Sequence, residues 1–401
     1  SYFVDHGYAW AASSYDENGY DVGSGVIDTH DLMGAFPAIT GGPAPSSVIM
    51  SGLSMGGAIT AVEIEAYKGD FVGAMPYCGV LGANSLFDYY LGANVTAAAL
   101  TGATITYPSS LSAGSAYAPA YQQTVLGEMP SLGITPNAST GGLTFTTAFT
   151  PTGQLWGDTV EQLSGGTRPG FASAISYWDS FGFAPLTHVP FLFGLYPGLT
   201  GGTVGYANGN VAGNLTTQYR FTDRPGRPSP AAQLLNAEVL RVARTAPFST
   251  DPAATELPDV VGDPGIPVLS IHGIGDLFVP LSMDQRYAEL MASNGEAKLF
   301  VDRAIREVAH CGYTPSELAS GFSALVGWID TGHRPAGDNI LNPRVVSSPT
   351  FGCRFTDPTP GSHPLFSGPA CPAHGRGHHH GHGHGHGHGH GHGPHGPHGH
   401  R

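Results

Sequence analysis

Ser54 sits in Gly52-Leu53-Ser54-Met55-Gly56, a G-x-S-x-G pentapeptide between two patterned segments. Before it runs Ser47-Val-Ile-Met-Ser51, a short apolar stretch bounded by Pro45 and Gly52, which predicts a central parallel strand. After it, Met55, Ile59, Val62 and Ala66 recur at spacings of four, three and four and stop at Gly69, which predicts a helix. Strand, tight turn and helix in that order lift a serine oxygen into a cleft, because small residues at 52 and 56 let the backbone turn and let strand and helix approach. The helix directs free amide groups toward developing negative charge, with the Met55 N–H as the expected oxyanion donor. The bland alternative is a structural tight turn, which a chain this rich in Gly and Ser meets by chance. The strand–turn–helix setting favours a nucleophile.

A serine hydroxyl is a weak nucleophile and needs a base and an orienting acid. Seven histidines lie outside the C-terminal tail: His6, His30, His188, His272, His310, His333 and His363. His310, in Glu307-Val-Ala-His-Cys-Gly312, follows a predicted strand and precedes a predicted helix, so it can reach across to the end of the serine strand. His272 is expected at a strand end packed behind the acid loop, His6 at a helix end, His30 within a helix and His333 just beyond one. For the acid, Asp276 follows the strand Val268–Ile271 through a Gly-rich turn. Asp284 competes from the first turn of a capped helix, where an acid serves the helix dipole. Asp302, at the end of the next strand, is the second choice.

The elements that must position these residues fall into blocks. Residues 1–85 alternate strand and helix signals: Gly7–Ser13 predicts a buried strand, Val26–Phe36 a helix, and Phe71–Tyr77 a further strand. Residues 86–254 carry Gly, Thr, Ser, Pro and aromatics with few convincing strands, and read as an inserted cap or lid. One clear helix stands near their end, with Ser229 as N-cap, Pro230 in the first turn, and Leu235, Val239 and Val242 on one face. Alternation resumes over 255–332. Ile266–Ile271 is a strand, Ser282–Asn294 a helix with a Ser282/Gln285 capping box, and Ala297–Val301 a strand. A Thr314/Glu317 capping box then opens a helix with Leu318, Phe322, Leu325 and Ile329 inward and Gly332 at its close. Residues 333–372 form a Pro-rich C-terminal wrap, and 373–401 a Gly/His-rich tail expected to be disordered.

Composition narrows the class. The 401 residues include 59 Gly and 33 Pro, only 11% are charged, and the formal charge is −14. Coiled coil, collagen and charged disordered chain are excluded, and an acidic chain whose only lysines are Lys68 and Lys298 has no footprint for nucleic acid. No window approaches ~18 uninterrupted apolar residues, so no membrane-spanning helix is expected. Cys78, Cys311, Cys353 and Cys371 match no zinc spacing, and their even number fits an oxidising compartment. Sequons stand at Asn94, Asn137 and Asn214 and carry little weight in a Ser/Thr-rich chain. The tail holds 13 His, among them His382, His384, His386 and His388; their neutral imidazoles take up divalent metal adventitiously without forming one defined site.

The order Ser54, Asp276, His310, each on a loop after a predicted strand, resembles the α/β-hydrolase superfamily. His272-Gly-Ile-Gly-Asp276-Leu-Phe-Val-Pro280 resembles the acid loop of its secreted esterases and related peptidases, and Ser51-Gly-Leu-Ser-Met-Gly-Gly57 resembles their nucleophile elbow. The resemblance covers roughly 1–85 and 255–332. It implies an α/β fold, a mainly parallel sheet with helices on both faces, a catalytic triad of Ser54, Asp276 and His310, and a large cap at 86–254. Only one predicted strand precedes the elbow strand, whereas the superfamily's earlier strands supply a second oxyanion amide. Residue 1 is therefore expected not to be the natural start.

In the same frame Cys78 and Cys311 belong on the carboxyl edge of the sheet, where a bridge would pin the His loop near the nucleophile. Cys353 and Cys371 would then close a short loop in the wrap. The expected activity is cofactor-free hydrolysis of carboxylic esters by a secreted enzyme of esterase, lipase or polyester-hydrolase type. The alternatives are a serine peptidase or amidase of the same fold, and a non-catalytic metal-binding protein on a decayed hydrolase. Phe87, Tyr89, Tyr90, Trp156, Trp178, Phe181, Phe191, Phe193 and Tyr196 offer either an apolar acyl or aryl pocket or the insertion's own core.

Overall fold

The computed structural model describes residues 2–107, 111–183, 186–200, 207, 209–222 and 229–372; the tail histidines and their metal uptake lie outside them. Ser1–Ala370 form one compact unit and Cys371–Arg401 a second. Among the described residues no helix is long and apolar enough to cross a membrane.

Helix α1 spans Val22–Thr40, longer at both ends than the sequence pattern, because the Asp21 side chain caps the Ser24 amide and Gly41 closes the helix at φ 68°. Strand β1 (Ile49–Leu53) leads through Ser54 into α2 (Met55–Ala66), and β2 (Gly73–Tyr77) returns parallel to β1 in the register Ile49↔Gly73 to Leu53↔Tyr77. The segment expected to be an insertion follows, with α3 (Ser85–Thr101), α4 (Leu111–Leu132), α5 (Pro151–Leu163) and α6 (Phe171–Trp178), and two small antiparallel strand pairs. Strand β3 (Val268–Gly273), α7 (Ser282–Ser293), β4 (Phe300–Ile305) and α8 (Pro315–Thr331) complete the order.

The four strands form one parallel sheet in the order β1-β2-β3-β4. Side chains alternate across it. Ala74, Val268, Phe300 and Ala304 face a core shared with α2 and α7, while Met75, Leu269, Ile271, Val301 and Ile305 face Phe322, Leu325 and Trp328 of α8. Helices thus cover both faces, and every strand points its carboxyl end the same way.

Several local expectations are corrected. Gly7–Ser13 is not a buried strand: it forms no ladder, Trp10 is 61% exposed, and a short helix, Tyr2–Asp5, precedes it. An apolar run becomes a strand only where an edge accepts its hydrogen bonds, and here Tyr2, Phe3 and Tyr8 instead pack edge-on against Phe322. The Ser282/Gln285 capping box does not form, because Leu281 already has helical backbone angles and leaves Ser282 inside the helix. Gln285 donates to the Gly165 and Ile340 carbonyls instead. The strand expected at Ala297–Val301 opens as a single 3-10 turn, Ala297–Leu299, and the ladder starts at Phe300, which places Asp302 within β4. The Thr314/Glu317 capping box is present.

The insertion is far more helical than its sequence suggested. Helix α3 buries Leu86, Tyr89, Tyr90, Leu91, Val95 and Ala97 around its circumference, so no apolar stripe marks it. The Pro230–Glu238 helix forms with its Ser229 cap, but ends before Val239 and Val242, both of which are buried. Two of the three sequons, Asn94 and Asn214, are 2% exposed; Asn94 donates to the Tyr90 and Leu192 carbonyls, and Asn214 to the Leu240 carbonyl.

Candidate active site

The parallel sheet brings four loops to one edge. Ser54 follows β1, Cys78 follows β2, the Asp276 loop follows β3 and the His310 loop follows β4. Ser54 has φ 56°, a left-handed conformation rare for a residue with a side chain and characteristic of a sharp strand-to-helix turn. Close approach makes the turn possible. A Cβ at Gly52 would lie 2.1 Å from the Gly56 carbonyl oxygen, and one at Gly57 would lie 2.3 Å from the Gly79 Cα. Gly56 itself has open space at that point, so the steric demand falls on Gly52 and Gly57 rather than on 52 and 56.

Ser54, His310 and Asp276 meet. The Ser54 hydroxyl lies 2.7 Å from His310 Nε2, and His310 Nδ1 lies 2.6 Å from Asp276 Oδ2. Asp276 is 1% exposed, and its second oxygen accepts the Phe278 and Val279 amides at 2.9 and 3.0 Å. A buried carboxylate satisfied in this way holds the imidazole with Nδ1 protonated and Nε2 free to accept from serine. As the first residue of α2, Met55 has an N–H outside the helical ladder.

The competing residues are placed elsewhere. His272 is fully buried behind the acid loop, where Nε2 donates to the Val279 carbonyl and Nδ1 pairs with Asp284. Burial alone would lower its pKa, but the charge and hydrogen bond of Asp284, with smaller contributions from Asp276 and the Val279 carbonyl, together outweigh that and raise it. Asp302 is buried against Asp284, and burial first and the neighbouring carboxylates second push its pKa well up. His30 pairs with Asp70, and His6 and His188 are exposed.

Sequence reasoning missed the side chains that hold the acid and His loops. The Tyr89 and Tyr90 hydroxyls donate to the Leu277 and Phe278 carbonyls at 3.0 and 2.8 Å, and Arg168 Nε donates to the Ile274 carbonyl. Trp178 Nε1 is shared between the Gly275 and Val308 carbonyls at 3.1 and 3.0 Å, joining the acid loop to the His loop. All four residues come from the insertion, and only a buried polar tip in an otherwise apolar element hinted at a partner. Of the aromatic set, Trp156, Phe193 and Tyr196 are interior core, with the Trp156 ring stacked on Phe193. Trp178 and Phe191 are buried in the same core and, with the partly buried Phe181, pack together with Phe278, whose half-buried ring lies 5.0 Å from the His310 ring.

A disulfide joins Cys78 to Cys311 with a Cα–Cα distance of 5.4 Å, and none of the described cysteines is free. Cys78 and Cys311 both have positive φ, 45° and 59°, so the bridge ties two sharp turns next to His310. The proximity of Cys78, His310 and Cys311 is this bridge beside the histidine, and its sulfurs are not available as thiolate ligands.

No protein-family model matches the chain. Among curated proteins, o-phthalyl amidase of Xanthobacter agilis is 33% identical over 78 residues, which is 20% of this chain and 17% of that enzyme. Among solved structures, feruloyl esterase B from Aspergillus oryzae aligns over 78% of this chain and 64% of its own, with 16% identity and a TM-score of 0.36. Candida antarctica lipase A aligns over 82% and 61%, with 17% identity and a TM-score of 0.32. Tannin acyl hydrolase from Aspergillus niger aligns over 77% and 61%, with 13% identity and a TM-score of 0.36. The chain therefore spans less than two thirds of the length of each of these proteins. A parallel sheet covered by helices on both faces, with a strand–serine–helix turn, an acid loop and a histidine loop following in chain order along its carboxyl edge, is an α/β-hydrolase fold.

Proposed function

We propose that this protein is a serine hydrolase that cleaves carboxylic esters through an acyl-enzyme. The observation that carries the reading is the continuous hydrogen-bonded line from Ser54 Oγ through His310 to the buried Asp276. His310 Nε2 takes the Ser54 proton as the oxygen attacks the ester carbonyl carbon. The carbonyl oxygen becomes the oxyanion beside the Met55 N–H. Collapse of the tetrahedral intermediate breaks the ester C–O bond, and His310 returns its proton to the departing alkoxide. Water then enters and gives a proton to His310, its oxygen attacks the acyl carbon, and the acid leaves as Ser54 recovers the proton. Asp276 keeps the imidazole oriented and stabilises its cation without taking the proton.

The half-buried Phe278 ring beside His310, backed by Phe191 and Trp178, suits an apolar acyl or aryl group. The disulfides suit an oxidising, extracellular setting. A p-nitrophenyl ester series of increasing acyl length, run with the wild type and Ser54→Ala, tests the reading. Turnover that survives the substitution, or a folded wild type that neither turns over nor takes a fluorophosphonate on Ser54, overturns it.

The second reading is amide cleavage by the same residues, which the stretch similar to an amidase favours. p-Nitroanilides matched to the esters decide between them: an amide rate equal to or above the ester rate supports the amidase. Removing 373–401 tests the metal-binding alternative. Metal uptake should vanish, and ester turnover should not.

A further inference from the structure

The loop that carries His310 is held by a residue from the distant wrap. Glu307, just beyond β4, is 5% exposed, and its Oε1 accepts the Val308 and Ala309 amides at 2.6 and 2.7 Å. One carboxylate oxygen therefore fixes the two residues that precede His310. The Glu307 carbonyl accepts the amide of Gly275, the neighbour of Asp276, at 2.8 Å. A Cβ at Gly275 or Gly312 would come within 2.9 Å of Glu307 atoms, so the loop has no spare room. The other carboxylate oxygen, Oε2, lies 2.6 Å from Nδ1 of His363.

The opposite nitrogen of His363, Nε2, lies 2.8 Å from Glu317 Oε1. Glu317 Oε2 accepts the Thr314 amide at 2.8 Å and so closes the capping box of α8, while Oε1 also accepts the Asp357 amide at 2.7 Å. The His363 and Glu317 side chains are 5% and 2% exposed. Two buried carboxylates on the two nitrogens of one ring require both nitrogens to carry protons.

The geometry points to His363 as a positioning residue of the active site: as an imidazolium it joins Glu307, which holds the main chain ahead of His310, to Glu317 at the start of α8. The wrap thereby becomes part of what aims the base. This inference rests on reading Ser54, His310 and Asp276 as a serine hydrolase.

The charge state supports it. Burial alone would lower the His363 pKa, but the hydrogen bonds to Glu307 and Glu317 outweigh burial and raise it to about 9. Burial would raise the Glu317 pKa, and the His363 hydrogen bond first, with the amides after it, brings it below the usual carboxylate range. Two other ionisable groups lie nearby. The Asp357 carboxylate accepts from Ser316, and Tyr177 on α6 has its pKa raised by burial and then by Glu307. With a folded pKa of about 9 the ring stays an imidazolium through neutral pH, and the clamp is lost as pH rises through about 9; the stability it lends over the unfolded chain is fully present below the unfolded value near 6.5 and is lost over the same rise to about 9. Above that, the neutral ring has one N–H for two carboxylates.

Hydrolysis of p-nitrophenyl acetate is measured from pH 6 to 10.5 for the wild type, His363→Gln and Glu317→Gln, each checked for folding by circular dichroism. The His363 ring of the wild type is followed by ¹⁵N NMR, assigned by difference from His363→Gln. The wild-type kcat should fall as pH passes about 9 with the fold intact. His363→Gln should lose roughly 10–100-fold in kcat at pH 8, the scale of a small misplacement of a catalytic group, with KM within about twofold and the alkaline fall abolished. Glu317→Gln removes one anion and should move that fall to lower pH. A His363→Gln protein with wild-type kcat and an unchanged alkaline fall overturns the clamp alone. So does a His363 ring that is neutral at pH 8, whatever the activity. A folded wild type that neither hydrolyses esters nor accepts a fluorophosphonate on Ser54 overturns the hydrolase reading and the clamp with it.

Discussion

Removing the Cys78–Cys311 bridge by Cys78→Ala/Cys311→Ala should weaken the fold and the site in separable amounts. The bridge spans 233 residues, and the chain-entropy relation gives a loop of that size about 5 kcal/mol of denatured-state entropy as an upper figure. With a urea m-value of about 3 kcal/mol/M for a chain of this size, the midpoint should fall by up to roughly 1.7 M. Alanine keeps the volume change small at Cys78, which is fully buried, so little of the loss is a cavity effect. The site loses less, because Asp276, Glu307 and Trp178 still hold the His loop. A fall of about tenfold in kcat with little change in KM is expected, the mark of a base less well aimed. Urea melts followed by fluorescence and p-nitrophenyl ester kinetics at pH 7.5 read the two effects. A midpoint shift under about 0.3 M together with unchanged kcat would refute the argument that this crosslink restrains both the unfolded chain and the His loop.

Three further outcomes follow from named contacts. Asp276→Asn leaves the loop in place but favours the wrong imidazole tautomer, so kcat should drop by about 10⁴, measured on the same esters; a drop under tenfold sinks the orienting role. Gly57→Ala puts a methyl 2.3 Å from the Gly79 backbone, whereas Gly56→Ala meets open space. The first should cost more than about 3 kcal/mol or fail to fold, the second under about 1 kcal/mol, and equal urea midpoints would contradict the packing. Glu63 is fully buried in α2, its oxygens have no hydrogen-bond partner among the described residues, and burial raises its pKa to about 8. A carboxyl that is neutral in the fold and ionised in the unfolded chain stabilises most below about pH 4.5 and progressively less up to about pH 8. Glu63→Gln should therefore raise the urea midpoint at pH 8 and leave it unchanged at pH 4.5; equal shifts at both would show that Glu63 is not held neutral.

The arrangement of Ser54, Asp276 and His310 was legible locally because it is written locally. A G-x-S-x-G between a strand and a helix fixes its own backbone geometry, and the structure places Ser54 at the positive φ such a turn needs. Asp276 and His310 each follow a strand of a parallel sheet. Parallel strands point all their carboxyl ends the same way, so knowing the strands was enough to put the two residues on one edge. The Thr314/Glu317 capping box was visible for the same reason, since both partners lie within one turn of helix.

What the sequence could not decide depends on partners far away in the chain. Gly7–Ser13 looks like a strand, yet strandedness is a property of a pair, and no edge receives it. Helix α3 is buried all round, which erases the periodicity that marks a half-exposed helix. That the insertion's rings Trp156, Trp178, Phe191, Phe193 and Tyr196 form core was likewise set by packing, and the ring that lies against His310 is Phe278, from the acid loop itself. The grip of Tyr89, Tyr90, Arg168 and Trp178 on backbone carbonyls, and the bridge from His363 to Glu307 and Glu317, join residues separated by 46 to 188 positions. Composition and spacing carry no trace of such pairs, because a buried donor or carboxylate finds its partner only once tertiary packing has excluded water from around it.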